Sequence, residues 1–176
     1  MKIDLSLYLV TEEGTDRSTV LGTVRGAVAG GVTAVQLRDR TLTDLELYRT
    51  AVDLKELLAG TGIPLVVNDR FDVALAAGAA GVHLGQHDLP PHRVRQIAGP
   101  DVVVGWTAGS AGEVAAANAL PPGTVDYLGL SPVFATGSKS DAGAPLGVEG
   151  IRQLRAAAAL PCVAIGGITV ANASDV

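Results

Sequence analysis

Residues 34–69 read AVQLRDRTLTDLELYRTAVDLKELLAGTGIPLVVND, in which a long amphipathic segment separates two short apolar runs. The runs at 34–37 and 65–67 have the length of buried β-strands, and the segment between them has helical spacing. A strand, a helix and a second strand in this order are typical of parallel strands joined by a crossover helix. The stretch therefore predicts a βαβ unit of an α/β protein.

The same alternation runs along the whole chain of 176 residues. It predicts strands at 6–10, 34–37, 65–67, 81–84, 102–105, 127–130 and 162–165, and helices at 18–29, 43–59, 71–78, 91–98, 110–119, 147–158 and from 170 onward. A TIM (β/α)8 barrel needs eight such units, usually in about 250 residues and in compact examples in about 200. We therefore expect a single barrel domain over 1–176 that is incomplete at its C-terminus, with the last β/α unit missing. A seven-stranded open sheet or a doubly wound sheet is the alternative.

The composition limits the classes of function. Hydrophobic residues make up 48% of the chain, and the formal net charge is -5 without a basic run, which argues against a nucleic-acid surface. No apolar stretch approaches the roughly 18 residues of a membrane span, and no signal peptide is recognisable. The single cysteine, Cys162, excludes an intrachain disulfide and is expected in the core. We expect a cytoplasmic protein without nucleic-acid or membrane partners; a homo-oligomer is compatible with the sequence.

Helix-capping signals support the helix assignments. Thr43 with Glu46, and Ser110 with Glu113, have the spacing of capping boxes. Pro91 suits the first position of a helix, where a missing N–H costs little.

Polar residues follow the second predicted strand, where a TIM barrel places its active site. Gln36, Arg38 and Arg40 alternate with period two and should therefore point together into the barrel mouth. Two guanidinium groups there would suit the oxygens of a pyrophosphate. The alternative is a surface salt-bridge cluster with Asp39.

Carboxylates follow the third and fourth strands. Asn68 and Asp69 end the third strand, and Asp88 follows the fourth. Oxygen ligands on adjacent strand ends suit Mg2+ that also holds a diphosphate. The alternative is that Asp69 and Asp88 are helix N-caps.

Glycine-rich segments follow the sixth and seventh strands. Thr136, Ser138 and Lys139 lie in the first of them, which could bind a phosphate or be an idle flexible lid. Gly167 lies in the second, where backbone N–H groups can approach a phosphate. Thr107 is a further candidate, because its hydroxyl could bind a phosphate. Trp106 could line a pocket or simply pack in the core. We interpret His83 as a structural histidine.

These segments together resemble the thiamine-phosphate synthase family over nearly the whole chain. The matching segments are QLRDR at 36–40, NDR at 68–70, GVHLGQHDLP at 81–90, DYLG at 126–129, TGSK at 136–139 and AIGGI at 164–168. The resemblance implies that 4-amino-2-methylpyrimidin-5-ylmethyl diphosphate is joined to a thiazole phosphate, with pyrophosphate released in a dissociative substitution.

The resemblance also implies the roles of the site residues. Asp69 and Asp88 would bind Mg2+. Arg38 and Lys139 would act catalytically on the leaving diphosphate, with Arg40 and Asn68 beside it. Gln36 would lie near the pyrimidine. Thr136, Ser138 and the Gly167 amide would bind the thiazole phosphate, with Thr107 as a further substrate-binding residue.

The chain departs from the family pattern at a few positions. Arg40 stands where the family usually has Lys, Thr107 where it usually has Ser, and Ser131 where Gly is commoner. A thiazole tautomerase is the close rival, but Asp88, and Pro132 where tautomerases tend to have His, favour the synthase. A non-catalytic phosphate-binding barrel is the rival from another class.

Overall fold

The computed structural model describes residues 3–137 and 143–176, in which short strands alternate with helices. The strands are β1 (Tyr8–Val10), β2 (Ala34–Leu37), β3 (Leu65–Asn68), β4 (Gly81–Leu84), β5 (Val103–Ala108), β6 (Tyr127–Leu130) and β7 (Cys162–Ala164). The helices are α1 (Arg17–Ala29), α2 (Asp44–Leu58), α3 (Phe71–Ala77), α4 (Pro91–Ala98), α5 (Ala111–Asn118) and α6 (Gly147–Ala157). A 3₁₀ turn follows at Ala173–Asp175.

The seven strands form one parallel sheet in the order of the sequence, β1 to β7. A doubly wound sheet reverses its strand order at a switch point, so that alternative is wrong. The sheet curls into a nearly closed TIM-like barrel, as the sequence predicts. Among the described residues no pairing joins β7 to β1. All strands run the same way, so their carboxyl ends meet at one mouth.

Alternate strand residues pack outward against the helices, as expected for strands covered on their outer face. One cluster joins Val35, Leu37, Val67, Val82 and Leu84 to the buried faces of α1 and α2, and a second joins Ala108, Leu128 and Leu130 to α5 and α6. The helices therefore bury the outer surface of the barrel. No helix in the described part of the chain is long and apolar enough to cross a membrane.

The inward positions combine large rings with glycines. A Cβ at Gly105 would lie 2.3 Å from Cζ of Tyr127, and a Cβ at Gly129 would lie 2.8 Å from Cε1 of His83. Neither glycine has a positive φ, so close packing rather than backbone conformation requires them. The Tyr127 and His83 side chains therefore fill space inside the barrel that these two glycines leave open.

The predicted caps are mostly confirmed. Thr43 and Glu46 form the full capping box of α2. Ser110 accepts a hydrogen bond from the Glu113 amide, but the Glu113 carboxylate accepts from the Gly109 amide and not from Ser110. The box at Ser110 is therefore only half formed. Pro91 is the first residue of α4, as expected.

Four expectations need correction. β5 continues to Ala108, so Trp106 and Thr107 lie inside it and not after it, because their backbones pair with β4 and β6. β1 begins only at Tyr8. The helix expected from 170 onward is a single 3₁₀ turn. Cys162 is only half-buried, since it belongs to β7, whose other edge pairs with no described strand.

Replacing the capping threonine should destabilise the protein measurably. Thr43→Ala leaves the Glu46 amide in the first turn of α2 without its acceptor, and we expect the free energy of unfolding to fall by about 1 kcal/mol. Urea denaturation followed by circular dichroism measures it. Thr23→Ala, on the exposed face of α1, is the control and should change stability by less than about 0.5 kcal/mol. Equal effects of the two substitutions would contradict the capping role.

Candidate active site

A cavity of about 1160 Å³ opens at the carboxyl ends of the strands and continues between β1 and β7. Its lining contains eight of the residues expected from the sequence: Gln36, Arg38, Arg40, Asn68, Asp69, Thr107, Thr136 and Gly167. Residues from five strand ends and their loops are thus brought together. Ser138 and Lys139 lie outside the described residues, so their placement stays a prediction.

The two arginines after β2 each contact a carboxylate. The guanidinium of Arg38 lies 2.7 Å from Oε2 of Glu13, and Nε of Arg40 donates to Oδ2 of Asp69 at 3.1 Å. Asp39 accepts instead from the amides of Gly14 and Thr41. The alternative prediction of a surface salt-bridge cluster with Asp39 is therefore wrong, because the Asp39 side chain binds backbone amides of the neighbouring loops instead.

Asp69 has an unusual backbone and an unusual environment. Its φ of 60° lies in the left-handed region, which non-glycine residues rarely occupy and which often marks functional positions. Burial first and the neighbouring Asp88 second raise the pKa of Asp69 to about 6, against the opposing effect of Arg40. A desolvated carboxylate beside a second carboxylate is an arrangement that a bound cation would relieve.

Asp88 is positioned by the turn after β4. Its Oδ2 accepts from the Gly85 amide at 2.6 Å, and the Trp106 indole donates to the Gly85 carbonyl at 3.3 Å. Neither Asp69 nor Asp88 is a helix cap, since α3 and α4 begin after Arg70 and Pro90 without a side-chain cap. The N-cap alternative is therefore wrong for both residues.

The described residues bring two carboxylates, Asp69 and Asp88, together at this point. Within 3–137 and 143–176 no group of three or more His, Cys, Asp or Glu side chains could hold a metal ion by itself. Asp69 and Asp88 could therefore hold only a cation that takes its remaining ligands from water or substrate oxygens, as Mg2+ commonly does.

The segments after β6 and β7 pack backbone against backbone. The amides of Val133 and Phe134 donate to the carbonyls of Ile165 and Gly166. Gly167 has a φ of 66°, and a Cβ there would lie 2.7 Å from the carbonyl oxygen of Ala135. This close approach brings Thr136 and Gly167 to the same end of the cavity.

The floor of the cavity is a set of buried polar groups whose contacts with one another were not predicted from the sequence. His83 contacts the Thr107 hydroxyl through Nε2 and the Tyr127 hydroxyl through Nδ1, both at 3.0 Å. Tyr127 contacts Tyr8, which accepts from the Gln36 amide. His83 is a buried structural histidine, as we interpreted it.

Glu13, Tyr8 and Tyr127 were not among the sequence candidates. Glu13 lies in a loop, and no local pattern pairs it with Arg38. For the two tyrosines the sequence gives one indication only. Their period-two spacing puts them on the inward face of strands, and other strands carry glycine at inward positions.

A parallel barrel that collects guanidinium groups, carboxylates and glycine-rich backbone at its carboxyl end defines an enzyme of the phosphate-handling TIM-barrel class. A family model described as thiamine monophosphate synthase matches residues 7–176. The chain belongs to the thiamine monophosphate synthase family, and this membership makes it a transferase.

Individual relatives agree with the family model. The thiamine-phosphate synthase of Albidiferax ferrireducens is 51% identical over 173 residues, which cover 98% of this chain and 78% of the relative. That of Azorhizobium caulinodans is 51% identical over 174 residues, which cover 98% and 81%. Among solved structures, a thiamine phosphate pyrophosphorylase from Pyrococcus furiosus is similar with a TM-score of 0.80 and 35% identity, covering 96% of this chain and 78% of that one.

A side chain at Gly167 should disturb the end of the cavity that Thr136 and Gly167 line. In Gly167→Ala the new Cβ meets the Ala135 carbonyl, and we expect overpacking to lower the free energy of unfolding by about 1–3 kcal/mol. Gly22→Ala is the control, because a Cβ on this exposed α1 residue contacts nothing within 4 Å and alanine favours helix. Urea denaturation compares the two, and full stability of Gly167→Ala would show that the loops are not closely packed.

Proposed function

We propose that this barrel joins 4-amino-2-methylpyrimidin-5-ylmethyl diphosphate to 4-methyl-5-(2-phosphoethyl)thiazole with the help of Mg2+, giving thiamine phosphate and pyrophosphate. The observation that carries the proposal is the arrangement at the barrel mouth, where Asp69 and Arg40 line the cavity and Asp88 lies next to Asp69, just outside the lining. Family membership and the names of the relatives support the reaction itself.

The diphosphate would bind at the ends of β2 and β3. Arg38 and Arg40 supply forked N–H donors that match phosphate oxygens, and Asn68 adds an amide. Because Glu13 already contacts Arg38, and Asp69 contacts Arg40, both guanidinium groups are held in place before substrate arrives. Arg38, with Lys139, would stabilise the charge that develops on the leaving group.

The residues at the mouth fit a divalent cation. Each guanidinium already faces a carboxylate, so a diphosphate would bring excess negative charge into the site. Asp69 and Asp88 are hard oxygen ligands next to that position. When bound there, Mg2+ would neutralise diphosphate charge and make pyrophosphate a better leaving group.

The thiazole phosphate would bind across the barrel, at the loops after β6 and β7. Thr136 supplies a hydroxyl and Gly167 a backbone amide, and both line the cavity. Ser138 and Lys139 belong to the same proposal on the strength of the sequence alone. The two phosphates are then held by separate elements, which keeps their charges apart.

The pyrimidine would lie between these ends, over Gln36. The dissociative course requires that the diphosphate leave first and that the thiazole nitrogen capture the resulting cation. The protein then needs no covalent nucleophile, so it contributes mainly by positioning and electrostatic stabilisation. The polar groups that line the floor are amide, hydroxyl and imidazole, with Thr107 at one side.

The two alternative functions differ from this proposal because neither of them needs the pair of carboxylates at Asp69 and Asp88. A thiazole tautomerase holds no metal-bound diphosphate and needs no Asp69–Asp88 pair. A non-catalytic barrel would bind phosphate ligands without turnover. Pyrophosphate release that EDTA leaves unchanged, or ligand binding without any release, would contradict the synthase.

Removing the second carboxylate should abolish most of the activity. In Asp88→Ala we expect pyrophosphate release to fall by at least about 100-fold, since several kcal/mol of charge stabilisation depend on the cation. Loss of the bond to Gly85 should cost only about 1 kcal/mol of stability. A coupled pyrophosphate assay with added Mg2+ measures the rate. The control Asp101→Ala changes an exposed aspartate outside the cavity lining and should keep the full rate.

Arg40 offers a matched pair of substitutions. Arg40→Lys keeps the charge, and we expect kcat/KM for the pyrimidine diphosphate to stay within about threefold, whereas Arg40→Ala should lower it about tenfold or more. Steady-state kinetics at saturating thiazole phosphate give both values. If alanine and lysine behaved alike, Arg40 would have no electrostatic role toward the diphosphate.

A further inference from the structure

A continuous set of hydrogen bonds crosses the inside of the barrel from β2 to β5, and we call it the polar chain. It runs from Gln36 through Tyr8, Tyr127 and His83 to Thr107, with contacts of 2.9, 2.7, 3.0 and 3.0 Å. Its residues come from five strands. Because all five are inward positions, the polar chain forms the layer directly below the substrate cavity.

The chemistry of its members gives the polar chain a direction. Nε2 of Gln36 donates to the Tyr8 hydroxyl, so the single hydrogen of Tyr8 is available to Tyr127. If Tyr8 donates this hydrogen to Tyr127, then Tyr127 donates to Nδ1 of His83, and His83 carries its own proton on Nε2 and donates it to Thr107. If the Gln36 amide turned over, every later bond would have to reverse and His83 would have to change tautomer. The orientation of Gln36 is therefore coupled to groups as far away as β5.

This direction decides what Gln36 presents to a ligand. The Gln36 side chain is only 2% exposed, yet it lines the cavity. Its nitrogen is engaged by Tyr8, and within the described ranges its carbonyl oxygen Oε1 has no hydrogen-bond partner. Oε1 is thus an acceptor without a donor at the edge of the cavity, and the matching ligand group is an N–H donor.

We propose that Tyr127 is a positioning residue that, through Tyr8, fixes the Gln36 amide with Oε1 toward the ligand and so selects a pyrimidine with an exocyclic amino group over one with an oxo group. This inference rests on the proposed function, because it takes the pyrimidine to bind beside Gln36. An oxo group would place a second acceptor against Oε1, and the buried layer could adapt only by reversing the whole polar chain.

Packing and ionisation both favour a fixed polar chain. Gly105 and Gly129 leave space that the Tyr127 and His83 rings fill so closely that a Cβ at either glycine would clash with a ring. Burial raises the pKa of Tyr8 to about 12 and that of Tyr127 well above its ordinary value. Both hydroxyls therefore keep the hydrogen that the chain requires.

Removing the Tyr127 hydroxyl tests the proposal in the full chain. For wild type and Tyr127→Phe, kcat and KM are measured with the aminopyrimidine diphosphate and with its analogue that has oxo in place of amino. Wild type should prefer the amino compound by about 100-fold or more, and Tyr127→Phe should reduce that preference at least about tenfold. KM for the thiazole phosphate should not change. A purely structural role would slow both pyrimidines equally, and an unchanged preference overturns the proposal.

Two further variants make the comparison specific. Tyr48→Phe, on a partly exposed α2 residue, is the matched control and should keep the wild-type preference. Tyr8→Phe breaks the polar chain one bond nearer to Gln36 and should lose preference to the same extent. The double variant should lose no more than either single one, because both act through one connection. Additive losses would overturn the coupling.

Two measurements separate this inference from the synthase assignment. If wild type itself makes no product, the proposed function has failed, and calorimetry with the aminopyrimidine methyl alcohol and its oxo counterpart then decides whether Tyr127→Phe lowers discrimination. Nitrogen NMR of the three labelled histidines gives an independent readout. His83 should carry its proton on Nε2 in wild type, and a proton on Nδ1 would overturn the proposal.

Discussion

The inside of this barrel depends on two positions that carry no side chain. In a parallel barrel, the inward side chains of neighbouring strands compete for the same interior, so a large ring on one strand requires a small residue beside it on the next. Gly105 faces Tyr127 in the strand register, and Gly129 lies against the His83 ring. A methyl group at either glycine would push a ring out of the layer. The position of the cavity floor, and with it the orientation of Gln36, follows from this constraint.

At the mouth of the barrel, above the cavity floor, the charged side chains form ion pairs. Arg38 with Glu13, and Arg40 with Asp69, form contacts that hold long side chains in position without ligand. Such pairs add little to stability when they are partly exposed. Under the proposed function their effect is preorganisation, because a diphosphate would then meet donors that need no further ordering. Asp69 adds a desolvated carboxylate beside Asp88, which suits the cation that the proposed function requires.

Most of the fold could be read from the sequence, and the reasons are physical. The bounds of β2, β4 and β6 agree with prediction because strands buried on both faces are short apolar runs with clear ends. β5 was predicted too short, because Trp106 and Thr107 look like the start of a loop although their backbones still pair.

The site was predicted less evenly. Period-two spacing on β2 placed Gln36, Arg38 and Arg40 in one cavity. Tyr8 and Tyr127 are separated by 119 residues, and only the closure of the barrel shows that their hydroxyls meet. Glu13 was not predicted either, because a loop residue has no periodicity that would reveal its partner. Local pattern therefore predicts which side chains enter the mouth, but not which of them contact one another.

The separation between the layer and the mouth fits the chemistry of a dissociative transfer. The guanidinium and carboxylate groups after β2 to β4, and the glycine-rich loops after β6 and β7, lie on different arcs of the barrel. In the proposed reaction the two substrates would bind on these separate arcs, so that their phosphate groups stay apart and the reacting carbon of the pyrimidine lies between them. Below that carbon, the polar chain offers oriented dipoles and no carboxylate. In the proposed dissociative course, neutral and fixed dipoles would orient the pyrimidine ring without adding to the cation that forms when pyrophosphate leaves, which leaves that cation to the thiazole nitrogen.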